Sequence, residues 1–269
     1  MHPVLARWPL PFATITLRSY SLCLGLAIGL AWWLCGRAWR RQGLDVGRSA
    51  VLLATCTAAG LMGAALVHAV ATGLTQLSVS PQPWRGGIAV YGALLGGAWA
   101  LRRGWHALAQ RPQLAGPGRS SMPPLAVVQA EAVVPVLLAQ AVGRFGCFLA
   151  GCCHGRPTAA PWAVVMPALD AAARHPVALY EATGLLLLAA WVLWQRAWRG
   201  LLWTPMTYLA HYAGLRLLVE CWRGDAARGL YFGGRLSTGM LLSLVVLGLF
   251  AAKRLQQPAR PMALSPSNR

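Results

Sequence analysis

Seven apolar segments, each of about the length that crosses a bilayer, follow one another along this chain, with short clusters of Arg, Pro and Gly between them. They run from Tyr20 to Trp39, Ser49 to Thr72, Gly86 to Leu101, Leu125 to Leu149, Val177 to Trp194, Leu201 to Trp222 and Ser237 to Ala252. A hydrocarbon core about 30 Å thick takes about 20 residues of helix. Without water the backbone must satisfy its own hydrogen bonds, so only helices or closed barrels span it. A barrel would show short strands of alternating polarity, and the sequence shows no such pattern. The expected architecture is all-α: a polytopic membrane bundle of about seven transmembrane helices, filling 1–255 as a single domain. Residues 256–269, rich in Pro, Gln and Ser, read as a disordered cytoplasmic tail. Hydrophobic residues make up 57% of the chain and charged residues 11%. Its mean hydropathy of +0.51 also lies outside the range of a soluble domain.

A net charge of +18 raises the question of a nucleic-acid partner. The positions of the cations answer it. Arg37, Arg40, Arg41 and Arg48 follow the first segment, and Arg102, Arg103, Arg111 and Arg119 follow the third. Arg196 and Arg199 follow the fifth, and Lys253, Arg254 and Arg260 follow the seventh, whereas Arg85 alone lies between the second and third. That alternation is the positive-inside pattern, with the N-terminus outside and the C-terminus in the cytoplasm; nucleic acid is not needed to explain it. The first segment has no small-residue cleavage site behind it and is expected to remain as a membrane helix.

Charge inside a span costs about 2.5 kcal/mol or more and is seldom present without a purpose. Arg144 stands at the outer end of the fourth segment, and Arg216 and Glu220 lie within the sixth, in HYAGLRLLVECWRGDA. Tyr212, Arg216 and Glu220 are spaced by four, so they share one helix face, which Arg223 extends. One reading is a self-neutralising structural ion pair. The other is an anion site, because a guanidinium is a planar fork suited to phosphate oxygens; a second Arg from another helix, Arg144, would strengthen it, with Glu220 orienting Arg216. The anion most naturally met there is a phospholipid. RHPVALYEA, Arg174 to Ala182, opens the fifth segment: His175 and Tyr180 can be interfacial anchors, but Glu181, inside the apolar run, requires a cationic or donor partner. In the third segment Gly87, Gly92, Gly96 and Gly97 allow a helix or a ligand close to the backbone, and the hydroxyl of Tyr91 among them needs a partner. Tyr20 reads either as an interfacial belt residue or as part of a site.

Cys147, Cys152, Cys153 and His154 fall within eight residues, in VGRFGCFLAGCCHGRPT. Four readings stay open: packing residues, a disulfide from Cys147 to Cys152 or Cys153, a zinc site with His154, or a thiol with a chemical role. Adjacent ligands and the lack of a remote CxxC weigh against zinc.

GGIAVYGALLGG, GRFGCFLAGCCHGRPT, RHPVALYEA and YAGLRLLVECWRGD, in this order, resemble the bacterial prolipoprotein diacylglyceryl transferases over nearly the whole chain, from about Ile15 to Ala252. The resemblance implies a multi-pass enzyme of the bacterial inner membrane. Such an enzyme would move the diacylglyceryl group of phosphatidylglycerol onto the lipobox cysteine of a preprolipoprotein signal peptide, working toward the extracytoplasmic side, with no metal and no cofactor. By the same resemblance Arg144 and Arg216 match arginines that hold the lipid head group. Tyr212 and Glu220 match functional positions beside them, Tyr20 a first-span tyrosine and Gly155 the later glycine of the signature, while Tyr91 falls where some members carry a proposed general base. Catalytic roles are therefore expected of Tyr91, Arg144, Arg216 and Glu220. Contacts to the lipid substrate are expected of Tyr20, Arg144, Gly155, His175, Tyr180, Tyr212 and Arg216, with other membrane lipids around the bundle. Departures are also legible. Cys147, Ala150 and Cys152 replace Asn, Asn and Glu, and Ala65 and Met240 replace Arg and Gln, which keeps two alternatives in view: a paralogue acting on another acceptor, or a phospholipid-binding or translocating protein without catalysis.

Overall fold

The computed structural model describes residues 4–10, 13–75, 89–110, 122–167, 169–225, 230–231 and 236–256. Seven α-helices occupy most of them: α1 (Ser19–Arg41), α2 (Val46–Thr75), α3 (Ala89–Ala109), α4 (Leu125–Ala150), α5 (Val177–Arg199), α6 (Pro205–Glu220) and α7 (Thr238–Gln256). Five of these, α1, α2, α4, α5 and α7, are long and apolar enough to cross a membrane. α6 is shorter than the apolar segment that contains it, with 16 residues in place of the span expected from Leu201. Thr204 stops it at the N-terminus by accepting the Thr207 N–H, and Pro205 takes the first turn, where its missing donor costs nothing. α3 is displaced in the other direction and runs on past Arg102 and Arg103 to Ala109. Its expected first residues from Gly86, Arg85 before them, Arg111 and Arg119, and the tail beyond Gln256 lie outside the described residues.

Three two-stranded antiparallel pieces accompany the bundle: β1 (Val4–Leu10) with β2 (Ala13–Arg18), β3 (Val164–Val165) with β4 (Ala173–Arg174), and β5 (Leu230–Tyr231) with β6 (Leu236–Ser237). The first is a hairpin leading directly into α1, which apolar-segment reasoning does not reveal.

Close helix pairs build the bundle: α2 packs on α3, α1 on α4, α4 on α5 and α6 on α7. Glycine sets the first of these distances. A Cβ on Gly92 would lie 2.2 Å from the Gly63 carbonyl oxygen, and one on Gly96 would lie 2.3 Å from that of Ala59. The glycines of the third segment therefore admit a neighbouring helix, α2, as small residues do where membrane helices meet.

Two buried clusters stand out among the described residues. Trp39, Leu52, Trp105 and Val128 join α1 to α4 at one end, and Tyr91, Leu137, Leu185, Tyr208 and Tyr212 join α3 to α6. At the Trp39 end, whose indole donates to the Val128 carbonyl at 3.0 Å, Glu131 accepts from Arg196 (2.8 and 2.5 Å) and Gln42 (2.9 Å). Thirteen residues of helix, ~20 Å at 1.5 Å per residue, separate Glu131 from Arg144 on α4. Arg196 and the arginines that end α1 thus share one end of the bundle, and Arg144 belongs to the other.

Candidate functional site

Glu181 is the hub of the polar interior. It sits in the second turn of α5, 1% exposed, and three groups from two other helices reach it. Arg144 of α4 places Nη2 2.9 Å from Oε1, Arg216 of α6 places Nη1 3.5 Å from Oε2, and the Tyr212 hydroxyl donates to Oε1 at 3.0 Å. A carboxylate in an apolar segment requires such partners, and the two arginines singled out from sequence supply them. The network continues along the α6 face. Arg216 Nη2 lies 3.2 Å from Glu220 Oε2, Arg223 Nε lies 3.9 Å from the same oxygen, and Arg223 Nε donates to Asp225 at 2.9 Å. Among the described residues, three guanidinium groups face three carboxylates, and these charges balance.

The balance leaves donor capacity unused. Arg216 Nε is buried with no hydrogen-bond partner among the described residues, and the Arg216–Glu181 approach is long for a charge-assisted bond, which closes to about 2.7–2.9 Å. Gly239 of α7 makes room for this guanidinium: a Cβ there would lie 3.4 Å from Arg216 Nη2. The Tyr91 ring packs on Tyr212 with centroids 5.6 Å apart. Its hydroxyl finds the partner it needs in Ser243, at 2.7 Å, and Ser243 in turn donates to the Gly239 carbonyl.

His175 and Tyr180 form a second group, apart from the arginines. The Tyr180 hydroxyl lies 3.0 Å from His175 Nδ1 and accepts from Trp162 Nε1 at 2.7 Å, and its ring meets Trp222 edge-on. This group closes one end of an apolar groove of about 830 Å³ between α5 and α6, lined along its length by Gly184, Leu187, Trp191, Gly214 and Leu218. The groove runs on the α6 flank next to the face that bears Tyr212 and Arg216, and it suits acyl chains.

Gly155 joins the two groups. Its N–H donates to the His175 carbonyl, the neighbouring Arg156 N–H to that of Trp222, and the Gly224 N–H to that of His154. A Cβ on Gly155 would sit 2.5 Å from the His175 oxygen, and one on Gly224 would sit 2.7 Å from the Gly155 oxygen, so only glycine permits this approach. Arg174 fastens the loop from outside by donating to Gly155 O and to Asp170, and this contact holds the exposed Asp170 carboxyl below its usual range. Tyr20 is 39% exposed near the start of α1, against the part of α4 where a Cβ on Gly146 would lie 3.7 Å from Tyr20 Cα.

The thiol cluster borders Arg144. Cys147, Cys152 and Cys153 are free, with their sulfurs all within 4.8 Å of one another, and Arg144 Nη1 lies 3.8 Å from Cys153 Sγ. The Cys153 thiol is held well below its ordinary pKa by hydrogen bonds from Cys147 and Cys152, then by Arg223 and Arg144. His154 stands outside this group, with Nδ1 3.4 Å from the Gly155 carbonyl oxygen.

The structure thus unites Arg144, Tyr212, Arg216 and Glu220 in one network with Tyr91 against it, places His175 and Tyr180 at the head of the groove, and uses Gly155 to connect them. Sequence reasoning left Glu181, Asp225 and Ser243 out of the site. For Glu181 the signal was its isolation as an acid in an apolar run; for Ser243 only the unmet hydroxyl of Tyr91 hinted at a partner.

These features define a helical membrane bundle with a buried guanidinium–carboxylate network and, on the α5/α6 flank, an apolar groove. The family model described as prolipoprotein diacylglyceryl transferase matches residues 9–253, and the chain belongs to that family of transferases. Among its relatives, phosphatidylglycerol–prolipoprotein diacylglyceryl transferase 2 of Streptomyces coelicolor is 33% identical over 88% of this chain and 75% of its own length. The phosphatidylglycerol–prolipoprotein diacylglyceryl transferase of Thermosynechococcus vestitus is 31% identical over 92% of both chains.

Proposed function

We propose that the protein transfers the diacylglyceryl group of phosphatidylglycerol to the lipobox cysteine thiol in the signal peptide of a prolipoprotein, releasing glycerol phosphate. The bundle lies in the bacterial inner membrane with the N-terminus outside, and Arg144, Arg216 and the thiols face the extracytoplasmic side. Support for the substrates comes from the names of the relatives. The observation that carries the mechanism is the meeting of Arg144 and Arg216, from α4 and α6, at Glu181.

A phosphate entering beside Glu181 takes Arg216 Nε and the loosely held Nη1, and Arg144, which keeps its Nη2 contact to the carboxylate, turns its remaining N–H groups to the same phosphate. As the carbon–oxygen bond to phosphate breaks, negative charge grows on the departing oxygens. Pre-positioned guanidinium groups in a water-poor site stabilise that charge more than the ground state. Glu220 and Glu181 keep both forks aimed, Tyr212 fixes Glu181, and Tyr91 positions Tyr212 through ring packing. His175, Tyr180, Gly155 and Tyr20 line the path of the lipid, with the acyl chains along the α5/α6 groove.

Purified protein incubated with labelled phosphatidylglycerol and a lipobox peptide is expected to yield a thioether-linked diacylglyceryl peptide. Lipid turnover without peptide labelling, or no turnover, would contradict this reading.

A further inference from the structure

Beyond the two arginines, we infer that Cys147, Cys152 and Cys153 form a three-thiolate zinc site, with a fourth position open to the acceptor thiol. Its role in transfer rests on the function proposed above; the binding of zinc does not.

Three sulfurs lie within 4.8 Å of one another. Zinc–sulfur bonds of ~2.3 Å at tetrahedral angles set sulfurs ~3.8 Å apart, so shifts of ~1 Å or less complete the site. The backbone is shaped for it. Cys147 begins the last turn of α4, Gly151 caps the helix at φ 72°, and Cys153 stands at φ 57°. Among the described residues it is the one non-glycine with positive φ. A side-chain-bearing residue held there is strained, and such strain marks functional positions. The turn brings two adjacent thiols to the same helix-borne Cys147, which adjacent ligands in an ordinary backbone reach poorly.

Charge agrees as well. Zinc with three thiolates carries one net negative charge, and Arg144 lies against it, 3.8 Å from Cys153 Sγ. Cys147 is buried while Cys152 is exposed, so the cluster opens on one side. Three protein ligands with an open position are the pattern of a reactive zinc rather than a structural one. Arg144 is also 2.9 Å from Glu181, so one guanidinium spans the thiol cluster and the phosphate side, placing nucleophile and electrophile next to each other.

The step balances without a redox partner. The acceptor S–H gives its proton to water as its sulfur takes the fourth position. A sulfur lone pair then forms the bond to the glyceryl methylene carbon, the electrons of the carbon–oxygen bond leave with the phosphate oxygen, and glycerol phosphate departs while zinc is unchanged. A metal-held thiolate needs no separate base at neutral pH.

The full chain, purified in detergent from zinc-supplemented cells under reducing conditions, is expected to hold one zinc per chain. Cobalt substitution should give the charge-transfer absorption of cobalt thiolate, and Cys147→Ser with Cys153→Ser should lower metal content at least tenfold. Because that double variant removes a buried residue, the single variant Cys152→Ala, at an exposed position, is expected to lower zinc affinity at least tenfold as well. Zinc-free wild-type protein that also fails to bind cobalt would overturn the inference, as would a disulfide linking two of these cysteines in the isolated protein. Zinc bound without peptide labelling would count against the transferase reading and leave the metal site standing; peptide labelling by protein stripped of zinc would leave the transferase reading standing and overturn the role of the metal in it.

Discussion

The Arg216 guanidinium meets the Glu181 carboxylate at 3.5 Å, a loose pair between two groups that are each 1% exposed. Arg144 holds the other oxygen more closely, at 2.9 Å. Asymmetry of this kind leaves Arg216 as the partner from which a competing anion can take contacts.

Glu181→Gln strips two buried arginines of their shared counter-charge. Removing one partner of a buried pair costs about 3–5 kcal/mol, so the melting temperature in detergent is expected to fall by several degrees. Phosphatidylglycerol supplies a replacement anion and should restore more stability to this variant than to wild type. Equal stabilisation of both by the lipid would argue that Glu181 and the phosphate do not share the arginines.

In the proposed reaction, Arg216→Ala removes a donor aimed at the developing phosphate charge. Losses of about 10²–10³ in turnover accompany the removal of one such donor, and Arg216→Lys, which lacks the planar fork, should recover only part of it. Initial rates with labelled lipid decide the point, since activity within threefold of wild type in either variant would remove Arg216 from the reaction.

Tyr91→Phe separates positioning from proton transfer. The Tyr91 hydroxyl is engaged by Ser243 and its ring by Tyr212, so the expected loss is less than tenfold with the ring retained. A general base would give a loss of about 10²–10⁴, and a fall of that size in kcat would reassign Tyr91 to the chemistry.

Gly155→Ala and Gly143→Ala make a matched pair. A Cβ at Gly155 collides with His175, whereas one at Gly143 meets nothing within 4 Å. Overpacking costs about 1–3 kcal/mol, so Gly155→Ala should lower both the melting temperature and turnover while Gly143→Ala changes neither.

Much of this was legible in the residues. Apolar length marked every helix, and the i, i+4 spacing of Tyr212, Arg216 and Glu220 placed them on one face, because a helix repeats every 3.6 residues whatever surrounds it. Tertiary partnership was not legible. Nothing local to Glu181 says that two helices will converge on it, and nothing in adjacent cysteines says that Cys153 will adopt a left-handed backbone. The short α6 was missed because apolar length cannot see a Thr204–Pro205 cap. Likewise, the glycines of α3 could not reveal which helix they admit.

In the proposed function Arg144 and Arg216 together read the lipid phosphate. Equilibrium binding of phosphatidylglycerol and of diacylglycerol, which lacks the phosphate, tests it most directly in wild type, Arg144→Ala and Arg216→Ala, each first shown to melt cooperatively. At least a tenfold preference for the phospholipid is expected in wild type and its loss in both variants; a preference that survives both substitutions would rule out the joint role of these arginines.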